Sequence, residues 1–139
     1  MSAKLEKDYR PSELEDYMNP KHVEYFKHKL LLWKRDLLND SQETIAHLKE
    51  DYKHESDLND RATVEMESSL EIKTRDRYRK LLDKIDTALE KIECEEYGYC
   101  EETGEEIGLK RLEARPIATL CIEAQQKHEN YERQHSDLD

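Results

Sequence analysis

Residues 19–37 read NPKHVEYFKHKLLLWKRDL, with apolar side chains at Val23, Phe26, Leu30, Trp33 and Leu37. The spacing of three, four, three and four is a heptad seam, one narrow apolar stripe on an otherwise polar helix. Asn19-Pro20 marks its start. Asn can cap the first turn, and Pro is tolerated at the first helical position because its missing N–H would be unpaired there anyway. Past Leu37 the seam weakens, with Ile45, Leu48 and Tyr52 continuing it after a phase slip. No glycine or proline interrupts residues 21–97, a stretch longer than an ordinary globular helix. A turn is therefore predicted where Ser, Asp and Asn cluster, at Glu55-Ser56-Asp57-Leu58-Asn59-Asp60. Asp57 or Asp60 would cap a second helix running to about Glu95, with its seam at Tyr78, Leu81, Leu82, Ile85, Leu89 and Ile92. The two helices would pair antiparallel, each ~50 Å long at the α-helical rise. Large apolar residues crowd one half of this pairing, and Thr, Ser, Glu and Lys fill the half beside the turn. The first half should be firm and the turn end marginal.

The flanks differ. Residues 1–19 are polar and aperiodic and read as a loosely held arm, with a weak capping-box pattern at Ser12 and Glu15. All three glycines, Gly98, Gly104 and Gly108, lie within eleven residues and mark a small turn-rich module at 97–124. Residues 122–135 read as a weakly packing final helix. The expected fold is mainly α, a long antiparallel two-helix coiled coil on a small globular base. Its expected segments are an arm (1–19), the coiled coil (20–96, tip near 55–62), the turn-rich module (97–124) and a C-terminal helix and tail (125–139).

Composition narrows the function. Of 139 residues 41% are charged and 35% hydrophobic, with a net charge of −11. That is too polar for a compact α/β enzyme. It is also too acidic for direct DNA binding, which relies on Lys and Arg against phosphates. No run of ~18 apolar residues suggests a membrane span, and the N-terminus lacks an apolar signal core. Three cysteines, an odd number, argue against an extracellular disulfide framework, so a cytoplasmic location is expected. No nucleophile–base pair, phosphate loop or HExxH motif points to an enzyme.

Residues 97–121 read YGYCEETGEEIGLKRLEARPIATLC. With cysteine at 103 and 124 this would be a C-x2-C…C-x2-C zinc ribbon. As written, Cys100 and Cys121 supply two thiols, Thr103 is a poor ligand and Ala124 has no donor. Two inherited, reduced thiols with no metal is the favoured reading. Zinc held by Cys94, Cys100, Cys121 and His128 is the rival.

The knuckle stretch resembles the signature of the DksA/TraR family, and Asp57-Leu58-Asn59-Asp60-Arg61-Ala62 resembles that family's Asp-x-x-Asp-x-Ala tip. The resemblance covers roughly residues 18–135. It implies a knuckle at the base of a long coiled coil, and a cysteine-poor subgroup that folds without zinc. It further implies a coiled coil that enters the secondary channel of RNA polymerase, with Asp57, Asp60 and Ala62 acting beside the catalytic centre. Promoter open complexes would be destabilised together with guanosine tetraphosphate in the stringent response. Arg77, Leu81, Lys84 and Arg115 match the family's effector site, while Gln125 stands where the family often has lysine. The protein would act as a monomer. The alternatives are a structural or interaction hairpin, or a thiol-based redox sensor through Cys100 and Cys121, neither binding polymerase. Without the resemblance, Asp57 and Asp60 read as turn formers and a helix cap, and the basic residues of the second helix as a solvated face.

Overall fold

A computed structural model of the protein describes residues 4–54 and 61–136. Four helices follow in order, α1 (Pro20–His54), α2 (Arg61–Glu93), α3 (Leu109–Ala114) and α4 (Ile122–Ser136). The chain divides into two compact units. A knuckle unit comprises Met1–Leu30 and Ala88–Asp139, and a hairpin unit comprises Leu31–Thr87.

In the hairpin unit α1 and α2 pair antiparallel. Lys34 Nζ meets Asp86 at 2.7 Å, the Thr44 and Tyr78 hydroxyls meet at 3.2 Å, and Lys49 Nζ lies 3.7 Å from Glu71. Leu37 and Ile85 form the buried centre. Trp33, Tyr78, Leu81 and Leu82 are half-buried around them. Farther along, Ile45 and Leu48 are half-buried, while Val64, Met66, Leu70 and Ile72 are exposed. Since apolar burial is worth roughly 25 cal/mol per Å², stabilisation falls along this unit as the seam composition implies. The predicted turn at 55–60 lies outside the described residues.

In the knuckle unit Asn19 starts α1 as expected. Its Oδ1 accepts the backbone amides of Lys21 at 2.8 Å and His22 at 3.3 Å. Phe26, Leu30, Ala88, Ile92, Tyr97 and Leu112 are buried here, with the Phe26 and Tyr97 rings 5.7 Å apart. The second seam thus passes through Ala88, four residues before Ile92, and leaves Leu89 half-buried. His22, which reads as one of several scattered histidines, is fully buried, and its Nδ1 accepts the Met18 amide at 3.2 Å.

The N-terminal arm is tied down, contrary to the expectation from its polarity. The Tyr17 hydroxyl donates to Gly98 O at 2.7 Å and accepts the Gly108 amide at 3.0 Å. Ser12 and Glu15 form half a capping box, the Ser12 amide donating to Glu15 Oε1 at 3.2 Å, but only a turn results. Glu113 on α3 gathers the Tyr25 hydroxyl at 2.5 Å, Lys29 Nζ at 3.1 Å and Arg10 at 3.5 Å. Tyr hydroxyls make these ties because a buried Tyr keeps its ring in the core and its polar tip at a partner.

Helix α2 ends at Glu93, two residues short of the expected end. The Glu95 amide donates to Ile92 O at 3.2 Å and the Glu96 amide to Lys91 O at 2.9 Å, with Glu95 itself at φ 60. This is a Schellman cap, whose left-handed position normally carries Gly. Replacing Glu95 with Gly relieves a steric cost of about 1 kcal/mol. Glu95→Gly should therefore raise the urea midpoint at unchanged m-value; a lower midpoint would contradict the cap.

Candidate functional site

The knuckle loops start from Gly98, which sits at φ 93 against Met18. A Cβ at this position would come within 2.9 Å of Met18 Cγ. The chain then makes a small antiparallel bridge between Tyr99 and Glu106. The Cys100 amide donates to Glu105 O at 2.7 Å, and the Gly104 amide, at φ 74, closes the turn onto Cys100 O at 2.9 Å. The second loop is attached where the Glu101 amide donates to Thr119 O at 2.9 Å, Arg111 Nε to Leu120 O at 2.9 Å, and the Tyr97 hydroxyl to Pro116 O at 2.7 Å. Ile107, Leu109 and Leu112 are buried beneath. Of the apolar set expected to hold the knuckle, Ile117 and Leu120 are half-buried and Tyr99 is exposed, its ring set edge-on to Tyr17 at 5.6 Å.

These loops bring Cys100, Thr103 and Cys121 together. Both cysteines are buried free thiols, and Thr103 Oγ1 lies 3.9 Å from Cys121 Sγ. Burial pushes the Cys100 thiol up. Hydrogen bonds from the Thr103 hydroxyl and from the backbone of Cys121, Thr103 and Glu102 outweigh that and hold it down to about 6. Donors aimed at the sulfur favour the thiolate.

The residues do not fit a four-cysteine zinc site. Thr103 offers a neutral hydroxyl, and buried Ala124 offers a methyl where a fourth donor is needed. The rival ligand set is not assembled either. Cys94 is exposed, and His128 Nε2 contacts Glu102, whose hydrogen bond and charge raise the imidazole pKa and favour the protonated ring, which cannot ligate. Among the described residues, the donor group that does come together is Cys121 with Glu105 and Glu123, within 4.8 Å of one another. Both carboxylates are exposed. Nothing in the sequence distinguishes them from the many other glutamates.

On α2, Arg77, Leu81 and Lys84 share a face at i, i+4 and i+7. Arg75 pairs with Glu71 at 3.0 Å, and Arg79 and Lys80 pair with Asp76 at 2.5 and 3.1 Å. Among the described residues no carboxylate lies within 4 Å of Arg77 or Lys84, and both are exposed. Arg75, Arg79 and Lys80 are thus paired with carboxylates, whereas among the described residues Lys73, Arg77 and Lys84 are not, and the Arg77 guanidinium lies 5.7 Å from the centre of the Tyr78 ring. Arg115 is exposed in the knuckle unit, and Gln125 is half-buried with its Nε2 on Glu129 at 3.3 Å. At the start of α2 Ala62 is exposed; Asp57 and Asp60 lie outside the described residues.

A two-helix hairpin unit and a zinc-ribbon-like knuckle lacking two of its four thiols define a class of small helical proteins. The comparisons agree. Residues 22–92 match the model of the DksA N-terminal domain, described as DnaK suppressor protein DksA, and residues 95–130 match the prokaryotic dksA/traR C4-type zinc finger. A protein from Caulobacter vibrioides described as RNA polymerase-binding transcription factor DksA is 57% identical over 94% of this chain and 92% of its own. Its counterpart in Escherichia coli K12 is 42% identical over 91% and 83%. The solved structure of transcription factor DksA2 from Pseudomonas aeruginosa superimposes with a TM-score of 0.63, at 38% identity over 84% of this chain and 90% of that one. The chain belongs to the DksA family.

Two outcomes test the knuckle. Cys100 is held down in the folded state, so its contribution is full above the unfolded thiol value near 9 and is lost as pH falls through about 6. Melting temperature should climb across that window, and Cys100→Ser should flatten the climb; an unchanged slope would remove the thiolate. Installing the two missing thiols, Thr103→Cys with Ala124→Cys, should produce stoichiometric zinc by elemental analysis and a higher melting temperature. The parent chain purified alongside should hold well under one equivalent.

Proposed function

We propose that this chain binds RNA polymerase and regulates transcription, without being an enzyme. The observation that carries this reading is the extent of the family match. Relatives described as RNA polymerase-binding transcription factors align along more than nine-tenths of the chain at up to 57% identity. The family's tip sequence, Asp57 to Ala62, falls where α1 has ended at His54 and α2 begins at Arg61. Carboxylates carried between two paired helices suit a narrow channel that offers cationic and metal-bearing groups.

In this mechanism the hairpin enters the polymerase secondary channel, and Asp57, Asp60 and Ala62 reach the catalytic centre. The tip works by favouring one polymerase conformation over another, so it transfers no proton. The result is shorter-lived promoter open complexes. Guanosine tetraphosphate binds at the polymerase interface through Arg77, Leu81, Lys84 and Arg115. That Arg77 and Lys84 pair with no carboxylate among the described residues supports this assignment, since such a guanidinium or ammonium can still meet a phosphate. Gln125 adds no charge there, so the nucleotide effect should be modest. The knuckle holds no zinc in this reading, the protein acts as a monomer in the cytoplasm, and it makes no direct contact with DNA.

Transcription from a ribosomal promoter, run beside a core-polymerase pull-down, tests both parts. Asp60→Asn should bind within about twofold of the parent yet lose most of the inhibition, since one tip carboxylate adds little affinity. In the same assay Arg77→Ala with Lys84→Ala should keep basal inhibition and lose the extra effect of the tetraphosphate. Full inhibition by Asp60→Asn would overturn the tip mechanism, and no retention on polymerase would overturn the whole reading.

A further inference from the structure

One cavity in the knuckle unit takes no part in the polymerase reading. It encloses about 660 Å³ between the start of α1, the end of α2 and the first knuckle loop, within the size range of sites that take small ligands or a few side chains. Met18, Val23 and Ile92 form its apolar part, and Glu24, Glu93 and Glu95 bring carboxylates to it. The charge balance is uneven. Lys27 is the one cation among the lining residues, and it sits 3.5 Å from Glu93. The Glu24 side chain is only 13% exposed, and its one ion-pair partner among the described residues is His28 at 3.0 Å, charged only if protonated. A carboxylate so sheltered from water gains from a full positive charge brought beside it.

Tyr99 also lines the cavity and is exposed. A flat aromatic ring beside carboxylates suits a guanidinium, which stacks on one and hydrogen-bonds the other. The apolar part suits aliphatic neighbours of that guanidinium.

We propose that this groove is a docking site for a short segment of a partner protein that presents an arginine flanked by aliphatic side chains. Its apolar part takes the aliphatic groups, and Glu24 and Glu93 take the guanidinium. The docking chemistry is independent of polymerase binding and is read without polymerase.

The test is an NMR titration of the full chain with the blocked peptide acetyl-Ala-Leu-Arg-Leu-Ala-amide. A single-arginine contact should give a Kd on the order of 1 mM, with the largest shifts at the amides of Val23, Glu24, Ile92 and Glu93. The combined Glu24→Gln and Glu93→Gln variant, checked for an unchanged fold by its spectrum, should bind about tenfold more weakly. A peptide with both leucines replaced by serine should weaken comparably on the parent chain, and this control needs no variant. Shifts centred elsewhere, unchanged binding by the glutamine variant, or unchanged binding of the serine peptide would each overturn the proposal. Spermidine binding as tightly as the leucine peptide would overturn it too, by making the groove a site for small polyamines.

Discussion

The knuckle unit depends on two tyrosine hydroxyls that join segments far apart in sequence. Tyr17 bridges Gly98 O and the Gly108 amide, so one residue of the N-terminal arm fixes both ends of the first knuckle loop. Tyr97 reaches Pro116 O and fixes the second. In a zinc ribbon a metal joins two such loops through four bonds. Here only two of the four ligand positions carry donors of the right kind, and loop closure falls to hydrogen bonds and to Ile107, Leu109 and Leu112 packed below. A hydrogen bond of this kind contributes about 1 kcal/mol net, and leaving its buried partner unpaired costs more than that. Several such bonds acting together over a shared apolar floor can hold short loops that no single one could.

The hairpin unit follows a different principle. Leu37 and Ile85 are buried in it among the described residues, and the contacts beyond them pass from half-buried aliphatic chains to the Thr44–Tyr78 hydroxyl pair and then to ion pairs such as Lys49–Glu71. Exposed ion pairs contribute little, typically under about 1 kcal/mol each. Pairing there therefore depends on being continuous with the better-packed part of the same helices. Low local stability of this kind is common in segments that bind or move.

Most of the helical architecture was legible in the sequence because helices announce themselves locally. Asn19-Pro20 gave the start of α1, and the heptad spacing of Phe26, Leu30 and Leu37 gave its buried face. What was not legible depended on contacts between distant residues. The arm reads as loose because Tyr17 and Arg10 sit in a polar sequence, and nothing in residues 1–19 says that their partners are Gly98 and Glu113. The pattern places the end of α2 at about Glu95, and the helix stops at Glu93 because its left-handed cap uses Glu95 where the pattern calls for Gly. The sequence favours Leu89 over Ala88 because size, read alone, points to the larger residue, whereas the packed seam admits the small one. In the candidate site, Cys100, Thr103 and Cys121 were visible from spacing. Which of the basic residues on α2 are already paired could be learned only from the side-chain geometry around Glu71 and Asp76.

The same geometry explains how a knuckle can depart from four thiols without collapsing. In a zinc site backbone amides commonly point at the ligand sulfurs and share their negative charge with the metal. At Cys100 those donors are present, and the Thr103 hydroxyl adds one more from a ligand position. In the proposed metal-free knuckle, fixed dipoles would balance the thiolate in place of a cation. Thr103 then has a role of its own, because a hydroxyl can donate to the neighbouring sulfur where a second thiolate would repel it. Ala124 completes the substitution from the other side. Its buried methyl, on the first turn of α4, adds no polar group that would need a partner. The two departures are thus matched, one supplying a donor to the remaining anion and the other removing the need for a partner.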